Sequence, residues 1–310
     1  MNTVHDVMQA TSKERKPSPW KKGILLAAGR GTRLYPMTLP VAKPLLPVYD
    51  KPMLYYPLSV LMQAGIQEVL IIVPPGELEI FSRLLGDGTS LGMSIQYKEQ
   101  PVQRGIADAF MVGEDFIGQD PVCLILGDNI FYGESLRPCL AQAQATTDSA
   151  IVFGCWVEDP RPFGVVEFNE EGKAVSIEEK PAHPRSHYIV PGLYFYDNQV
   201  VDIAKNVQPS QRGELEITSV NNAYLQRHQL HVIPLGQDFV WLDAGTENSL
   251  LESAHTIRAI QEKSGRYVAC LEEIALVNGW ITPEQAEKAA RRIEKTKYGQ
   301  YLLSVLSQWK

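Results

Sequence analysis

Apolar runs of strand length alternate with segments of helical period along the first half of the chain. Residues 24–28 form an apolar run long enough for one buried strand, and it breaks at once into Gly29-Arg30-Gly31-Thr32-Arg33. Residues 52–65 carry Met53, Tyr56, Leu58, Leu61 and Met62 at near-helical spacing and close on Ala64-Gly65. A second buried strand is predicted over 68–73, a short helix over 77–85, and an alternating strand over 93–99 that leads into Gln100-Pro101. A helix over 105–112 and a fourth strand over 122–126 follow, the latter ending in Gly127-Asp128-Asn129. Strands and helices in alternation predict an α/β fold with a Rossmann-like, mainly parallel sheet and right-handed crossovers. Ligands of such sheets bind beyond the carboxyl ends of the strands. The loop at 29–33, Gln100 and Asp128 all fall at strand ends, which places them in one cleft.

The texture becomes richer in strands at Ala150. Strands are predicted over 150–157, 164–168, 174–179 and 188–196, with a turn at 169–172. Helices over 198–206 and 214–227 and a strand over 230–235 follow, and Trp241-Leu242-Asp243-Ala244-Gly245-Thr246 ends the region in a second strand-to-turn carboxylate. Four helices are expected beyond it, over 247–261, 271–278, 283–292 and 298–306. The organisation is therefore a mobile N-terminal extension over 1–21, an α/β core over 22–246 whose halves meet near 149–150, and a C-terminal helical region over 247–310. No internal repeat or low-complexity segment interrupts it.

Composition narrows the class. With 45% hydrophobic and 21% charged residues, 310 residues suit one large globular α/β domain with an appendage. The net charge of −7 argues against nucleic acid as a main partner, so phosphate must be held by local basic residues. Cys123, Cys139, Cys155 and Cys270 lie far apart without a C-x-x-C, indicating neither zinc nor a disulfide framework, and a reducing, cytoplasmic setting. No apolar run is long enough for a membrane span, and the basic, Pro-containing N-terminus lacks the apolar core of a signal peptide.

The candidate chemistry begins at the first loop. Gly29 and Gly31 allow a positive φ and a close approach to a ligand, so that N–H groups of the loop, Ala28 and Thr32 included, face phosphate oxygens. Arg33 and Lys43 add cationic charge. The spacing matches neither the P-loop nor the dinucleotide fingerprint. Asp128 and Asp243 could share a divalent cation, or each could be a turn or helix-capping aspartate. Glu179 and Lys180 point to opposite faces of a regular strand, as an exposed charge pair would; at a strand end before Pro181 they could instead meet sugar hydroxyls and a phosphate. Arg212 is a second phosphate candidate, or part of a helix N-terminus. Gln100 offers both a donor and acceptors to a base edge, or is a surface glutamine. His228 and His231 read as surface residues, without a third ligand nearby in sequence.

Gly-x-Gly-Thr-Arg-Leu at 29–34 with a lysine about ten residues on resembles the signature of sugar-1-phosphate nucleotidylyltransferases. LLPVYDKPMLYYPLSVLMQAGI looks like the branch acting on glucose 1-phosphate and dTTP, and LGDN, EEKP, WLDAGT and YGQYLL extend the likeness to the last helix. The resemblance implies a glycosyltransferase-A-like fold whose first half holds the nucleotide and whose second half holds the sugar phosphate. It implies Mg²⁺ on Asp128 and Asp243, catalysis by Arg33, Lys43 and Lys180, and base contacts from Gln100 and Gly105. Asn129, Phe163, Gly164, Glu179, Val190 and Tyr194 would line the sugar site, with Lys180 and Arg212 on its phosphate. It further implies a homotetramer built as a dimer of dimers and a dTDP-sugar effector pocket near the C-terminal helices. Another triphosphate such as UTP, a modified sugar phosphate, or a non-catalytic binding protein are the alternatives. Four departures fall in the sites: Ala28 and Arg30 where that branch reads AGGSGTRL, Pro44 after Lys43, Gln103-Arg104 before Gly105, and Pro191 before Gly192.

Overall fold

The computed structural model describes residues 18–236 and 238–309. Residues 1–17 of the expected extension, with Lys13, Arg15 and Lys16, lie outside them. Within 18–21 the chain is anchored: Trp20 is fully buried, packs edge-on against Phe195 at 5.1 Å and donates its indole N–H to the Gln144 carbonyl.

Strand β1 (Lys22–Leu26) leads into single 3₁₀ turns at Thr32–Leu34 and Lys43–Leu45 and a small hairpin, β2 (Pro47–Val48) and β3 (Lys51–Pro52). Helix α1 (Tyr55–Gln63), β4 (Glu68–Val73), α2 (Leu78–Leu85) and β5 (Ser94–Glu99) come next, then α3 (Asp108–Val112), α4 (Glu114–Ile117) and β6 (Val122–Leu126). β4 is a continuous apolar run because both its faces are covered, whereas β5 alternates at the sheet edge. β7 (Asn129–Tyr132), α5 (Leu136–Gln144), β8 (Ala150–Trp156), β9 (Gly164–Phe168), β10 (Ala174–Glu179), β11 (Tyr188–Ile189) and β12 (Leu193–Tyr196) follow. The chain ends through α6 (Val200–Asn206), α7 (Ile217–Gln226), β13 (Leu230–Pro234), β14 (Val240–Asp243), α8 (Glu247–Ser264), α9 (Leu271–Val277), α10 (Pro283–Arg292) and α11 (Lys297–Ser307).

The main sheet runs β10-β9-β11-β8-β12-β6-β1-β4-β5, with β13 also on β8. β1 pairs in parallel with β4 and β6, while β12 runs antiparallel between β6 and β8. The mainly parallel α/β sheet expected from the alternation is thus present, with its antiparallel members in the second half. Alternate residues of the central strands feed two cores. Leu25, Ile71 and Ile125 join Leu58, Leu61, Ile274 and Ala286, so α9 and α10 pack into the core on this face of the sheet. Ile24, Ile72 and Leu124 join Phe110, Val220 and Tyr224 on the other face.

Differences from the sequence reading have local causes. The single strand expected over 188–196 is two, broken at Pro191, which has no N–H to pair, and at Gly192, where an added Cβ would lie 2.6 Å from Leu126. The helix expected from 105 starts at Asp108, because Gly105 sits at φ 112° against the Leu215 backbone. β7 and α5 were not foreseen: β7 is short, and Pro138 sits inside α5, tolerated in its first turn.

Lys51 ties the small hairpin to the C-terminal helices. Its buried ammonium meets Asp50 at 2.5 Å and Gln261 of α8 at 3.3 Å, and lies 5.3–5.9 Å from the ring centres of Tyr56, Tyr267 and Tyr298.

Candidate active site

β1 and β6 end side by side, Leu26 opposite Leu126, and both chains turn immediately into the site. Gly127 N–H donates to the Leu26 carbonyl, and an added Cβ there would lie 3.2 Å from Ala27 Cα, so glycine lets the two turns touch. In the first turn Gly31 takes φ 61°, and its backbone lies where a Cβ would come within 2.9 Å of Lys43 Cβ. That contact seats the loop on Lys43. Gly29, by contrast, has open space around it and no positive φ.

Lys43 is 5% exposed, and its ammonium meets Asp128 Oδ2 at 2.6 Å. Asn129 Nδ2 donates to Asp128 Oδ1 at 2.9 Å, while Asn129 Oδ1 accepts from the Trp241 indole at 2.7 Å and from the Gly192 N–H at 3.3 Å. The antiparallel β7–β14 ladder sets Asp243 opposite Asn129. Enclosure would raise the Asp128 carboxyl, but Lys43 and Asn129 outweigh it and hold it below the usual carboxylate range. Asp243 goes the other way: enclosure and the negative charge of Asp128 push it up against the opposing pull of Lys43, Arg33 and Lys180. Neither aspartate caps a helix. Thr246 caps α8, with a reciprocal pair to Ser249, and Asp128 leads into a strand.

β10 is followed at once by a left-handed residue, Lys180 at φ 46°. On a regular strand Glu179 and Lys180 would diverge; the kink, with Lys180 N–H bonded to the Phe163 carbonyl, lets both side chains line one cavity. That cavity, of about 510 Å³, brings Arg33, Asp128 and Asp243 together with Glu179 and Lys180. Asn129, Phe163, Gly164, Val190 and Tyr194 line it as well. Phe163 packs edge-on against Trp241 at 5.1 Å.

Arg212 does not line the cavity. Its guanidinium is held by Glu216 at 2.8 Å, Glu214 at 3.3 Å and Glu179 at 3.4 Å, so it supports Glu179 from outside. Nor is it part of a capping contact, since Glu216 starts α7 without a side-chain cap. Gln100 is a buried residue rather than a surface one, 3% exposed, and its Nε2 donates to Asp108 Oδ2 at 2.7 Å; Asp108 also accepts from Arg104 at 2.6 Å. Gln103 reaches across to donate to the Ala28 carbonyl, joining this segment to the first loop. The close neighbour of Gly105 is Leu215 O, 2.5 Å from where a Cβ would stand.

Sequence reasoning missed Thr218, which donates to Glu179, and Asn221 and Trp241 in the cavity wall. Trp241 had a signal in its neighbour Asp243; Thr218 and Asn221 sit in an ordinary amphipathic helix and had none.

The donor set suits a divalent cation. Among the described residues no hydrogen bond reaches the Asp243 carboxylate, which stands raised beside a second carboxylate. Among them no group of three or more His, Cys, Asp or Glu is placed to hold a metal ion. Two carboxylates with substrate phosphates and water completing the shell is the pattern of a hard, oxygen-loving ion.

Residues 22–260 match the nucleotidyl transferase family. The chain belongs to that family. The glucose-1-phosphate thymidylyltransferase of Neisseria meningitidis serogroup A is 56% identical over 93% of this chain and 100% of its own length. That of Mycobacterium tuberculosis is 50% identical over 93% and 99%. A solved Bacillus anthracis family structure, in complex with sucrose, superposes with a TM-score of 0.71 at 41% identity, covering 76% of this chain and 95% of the other. Membership of the nucleotidyl transferase family implies a divalent metal cofactor, and Asp128 and Asp243 are the residues here that fit one. No helix among the described residues is long and apolar enough to cross a membrane.

Proposed function

We propose that this chain transfers a thymidylyl group from dTTP to glucose 1-phosphate, giving dTDP-glucose and pyrophosphate, with Mg²⁺ held by Asp128 and Asp243. The observation that carries the reading is one cavity with a carboxylate pair and Arg33 beside Glu179 and Lys180. Relatives named for this reaction, at 50–56% identity over nearly the whole chain, supply the substrate pair.

The chemistry follows from charge. A phosphate oxygen of the sugar phosphate attacks the α-phosphorus of the triphosphate, the new P–O bond forms as the bond to the β-phosphate oxygen breaks, and pyrophosphate leaves. The attacking phosphate has a second pKa of about 6, so no general base is needed. Two polyanions repel by several kcal/mol, about 4 for one unit pair at 4 Å in a partly wet cleft. When bound, the cation supplies charge neutralisation at the phosphates. Lys180 holds the incoming phosphate and Glu179 accepts from sugar hydroxyls. Arg33 and the N–H groups of Ala28, Gly29, Gly31 and Thr32 hold the leaving phosphates, and Lys43 keeps Asp128 ionised and in place. Gln100 reads the base edge. The reading extends to the first step of dTDP-deoxysugar synthesis in the cytoplasm, a homotetramer built as a dimer of dimers, and a dTDP-sugar effector bound near α8–α11.

Pyrophosphate release with glucose 1-phosphate and Mg²⁺, run in parallel with dTTP, UTP, CTP, ATP and GTP, tests it. Preference for dTTP, abolished by chelation, is expected; preference for UTP, or silence with every triphosphate, overturns it.

A further inference from the structure

The cavity wall holds one polar group that the catalytic reading leaves unused. Asn221, on α7, is 1% exposed and lines the cavity. Its Oδ1 accepts a hydrogen bond of 2.5 Å from the Tyr196 hydroxyl, and its Nδ2 has no partner among the described residues. Interior polar groups are paired as a rule, and an orphaned one is costly. Here the orphan belongs to a residue that lines the space where a ligand would sit.

The orientation of the amide is set from behind. Tyr196 is fully buried at the end of β12, packed edge-on against Phe110 at 5.3 Å and tilted against Tyr224 at 5.5 Å. Burial pushes its hydroxyl well above the ordinary range, so it remains an O–H donor. Its neighbour Tyr224 is committed to Asp197 at 2.6 Å, which leaves Asn221 Oδ1 as the acceptor Tyr196 uses. With the amide oxygen turned to Tyr196, the amide nitrogen faces away from it.

We propose that Asn221 Nδ2 donates to a hydroxyl oxygen of the bound sugar 1-phosphate, making Asn221 a specificity-determining residue of the sugar pocket with Tyr196 as its positioning residue. The inference rests on the sugar-phosphate reading of this cavity. A hydroxyl both donates and accepts. Glu179 can only accept from it, and Asn221 supplies the complementary donor. Leu126, Val190 and Ile217 in the same wall suit the C–H faces of a pyranose ring.

The test is steady-state kinetics of wild type, Asn221→Ala and Tyr196→Phe with glucose 1-phosphate and its four monodeoxy analogues (2-, 3-, 4- and 6-deoxy), at saturating dTTP and Mg²⁺. Asn221→Ala should raise the KM for glucose 1-phosphate about 10-fold, leave the KM for dTTP within about twofold, and use one deoxy analogue as well as the parent sugar. Tyr196→Phe should show a smaller rise in the same KM, with kcat little changed. Should Asn221→Ala not fold, Asn221→Asp keeps the shape, removes the donor and carries the same expectation. An equal loss on every analogue, or no loss, overturns the inference while the wild type is active. A wild type that releases no pyrophosphate with glucose 1-phosphate and dTTP overturns the proposed function and the inference with it.

Discussion

Asp243 stands directly opposite Asn129 in the β7–β14 ladder, one residue along from Asp128. Backbone pairing, not a loop, therefore brings the two carboxylates together, and Asn129 completes the arrangement by bonding Asp128, Trp241 and Gly192 at once. A rigid ladder holds like charges close only where something else gains from the repulsion, and a cation is the natural beneficiary.

Asp243→Asn tests that trade. It removes a carboxylate that enclosure and Asp128 disfavour, so thermal stability at neutral pH should be unchanged or higher. Turnover should fall by about 10³-fold or more, the scale of losing a group that neutralises transition-state charge. A variant that is both active and no more stable than wild type would remove Asp243 from the metal site.

The two glycines of the first loop should part company. Gly31→Ala meets a left-handed φ and Lys43 Cβ at 2.9 Å. It should cost about 1–2 kcal/mol of stability and, by unseating the loop from Lys43, about 10²-fold in kcat/KM for dTTP. Gly29→Ala meets open space and should stay within a few-fold of wild type. Equal kinetic losses at both positions would show that the loop acts through chain flexibility, not through its seat on Lys43.

What the sequence disclosed and what it hid divide along locality. The strand over 68–73 and the turn at Asp128 are written in runs of adjacent residues, and so were the fold class and the positions of both aspartates. Glu179 and Lys180 looked divergent because the period of a strand says nothing of a left-handed residue at its end. The hold of Glu179 on Arg212 was hidden because the two are distant in sequence. Asn221 and Thr218 were invisible because their role depends on which helix face the sheet happens to offer the cavity.

Asp108 should govern base selectivity through Gln100. A carboxylate bridging Gln100 Nε2 and Arg104 fixes which end of the glutamine amide faces the nucleotide site. Asp108→Asn can donate as well as accept, so the Gln100 amide is free to turn. The preference for dTTP over dCTP should fall about 10-fold, one hydrogen bond's worth of discrimination, with a smaller loss of kcat on dTTP. An unchanged ratio in parallel kcat/KM measurements would show that Gln100 does not read the base.

Alkaline pH should unfold the protein through its tyrosines. Burial pushes the hydroxyls of Tyr55 and Tyr97 up to about 12 from an ordinary value of 10, and those of Tyr56, Tyr224 and Tyr301 higher still. Below pH 10 both folded and unfolded chains keep these protons. Above it the unfolded chain loses them first, so the stabilisation they contribute falls as pH rises toward the folded values, by about 1.4 kcal/mol per pH unit for each well-buried tyrosine and by less for the half-buried Tyr97. Lys51 opposes this only briefly: burial lowers it from 10.5, so its contribution grows with pH up to the unfolded value and then stops. Urea unfolding between pH 9 and 12 should therefore show stability dropping steeply above about pH 10.5, with phenolate absorbance rising together with loss of circular dichroism. Phenolate formation across these buried tyrosines in a chain that keeps its native dichroism would contradict the account, because it would mean that the rings are not held in the interior by the packing described.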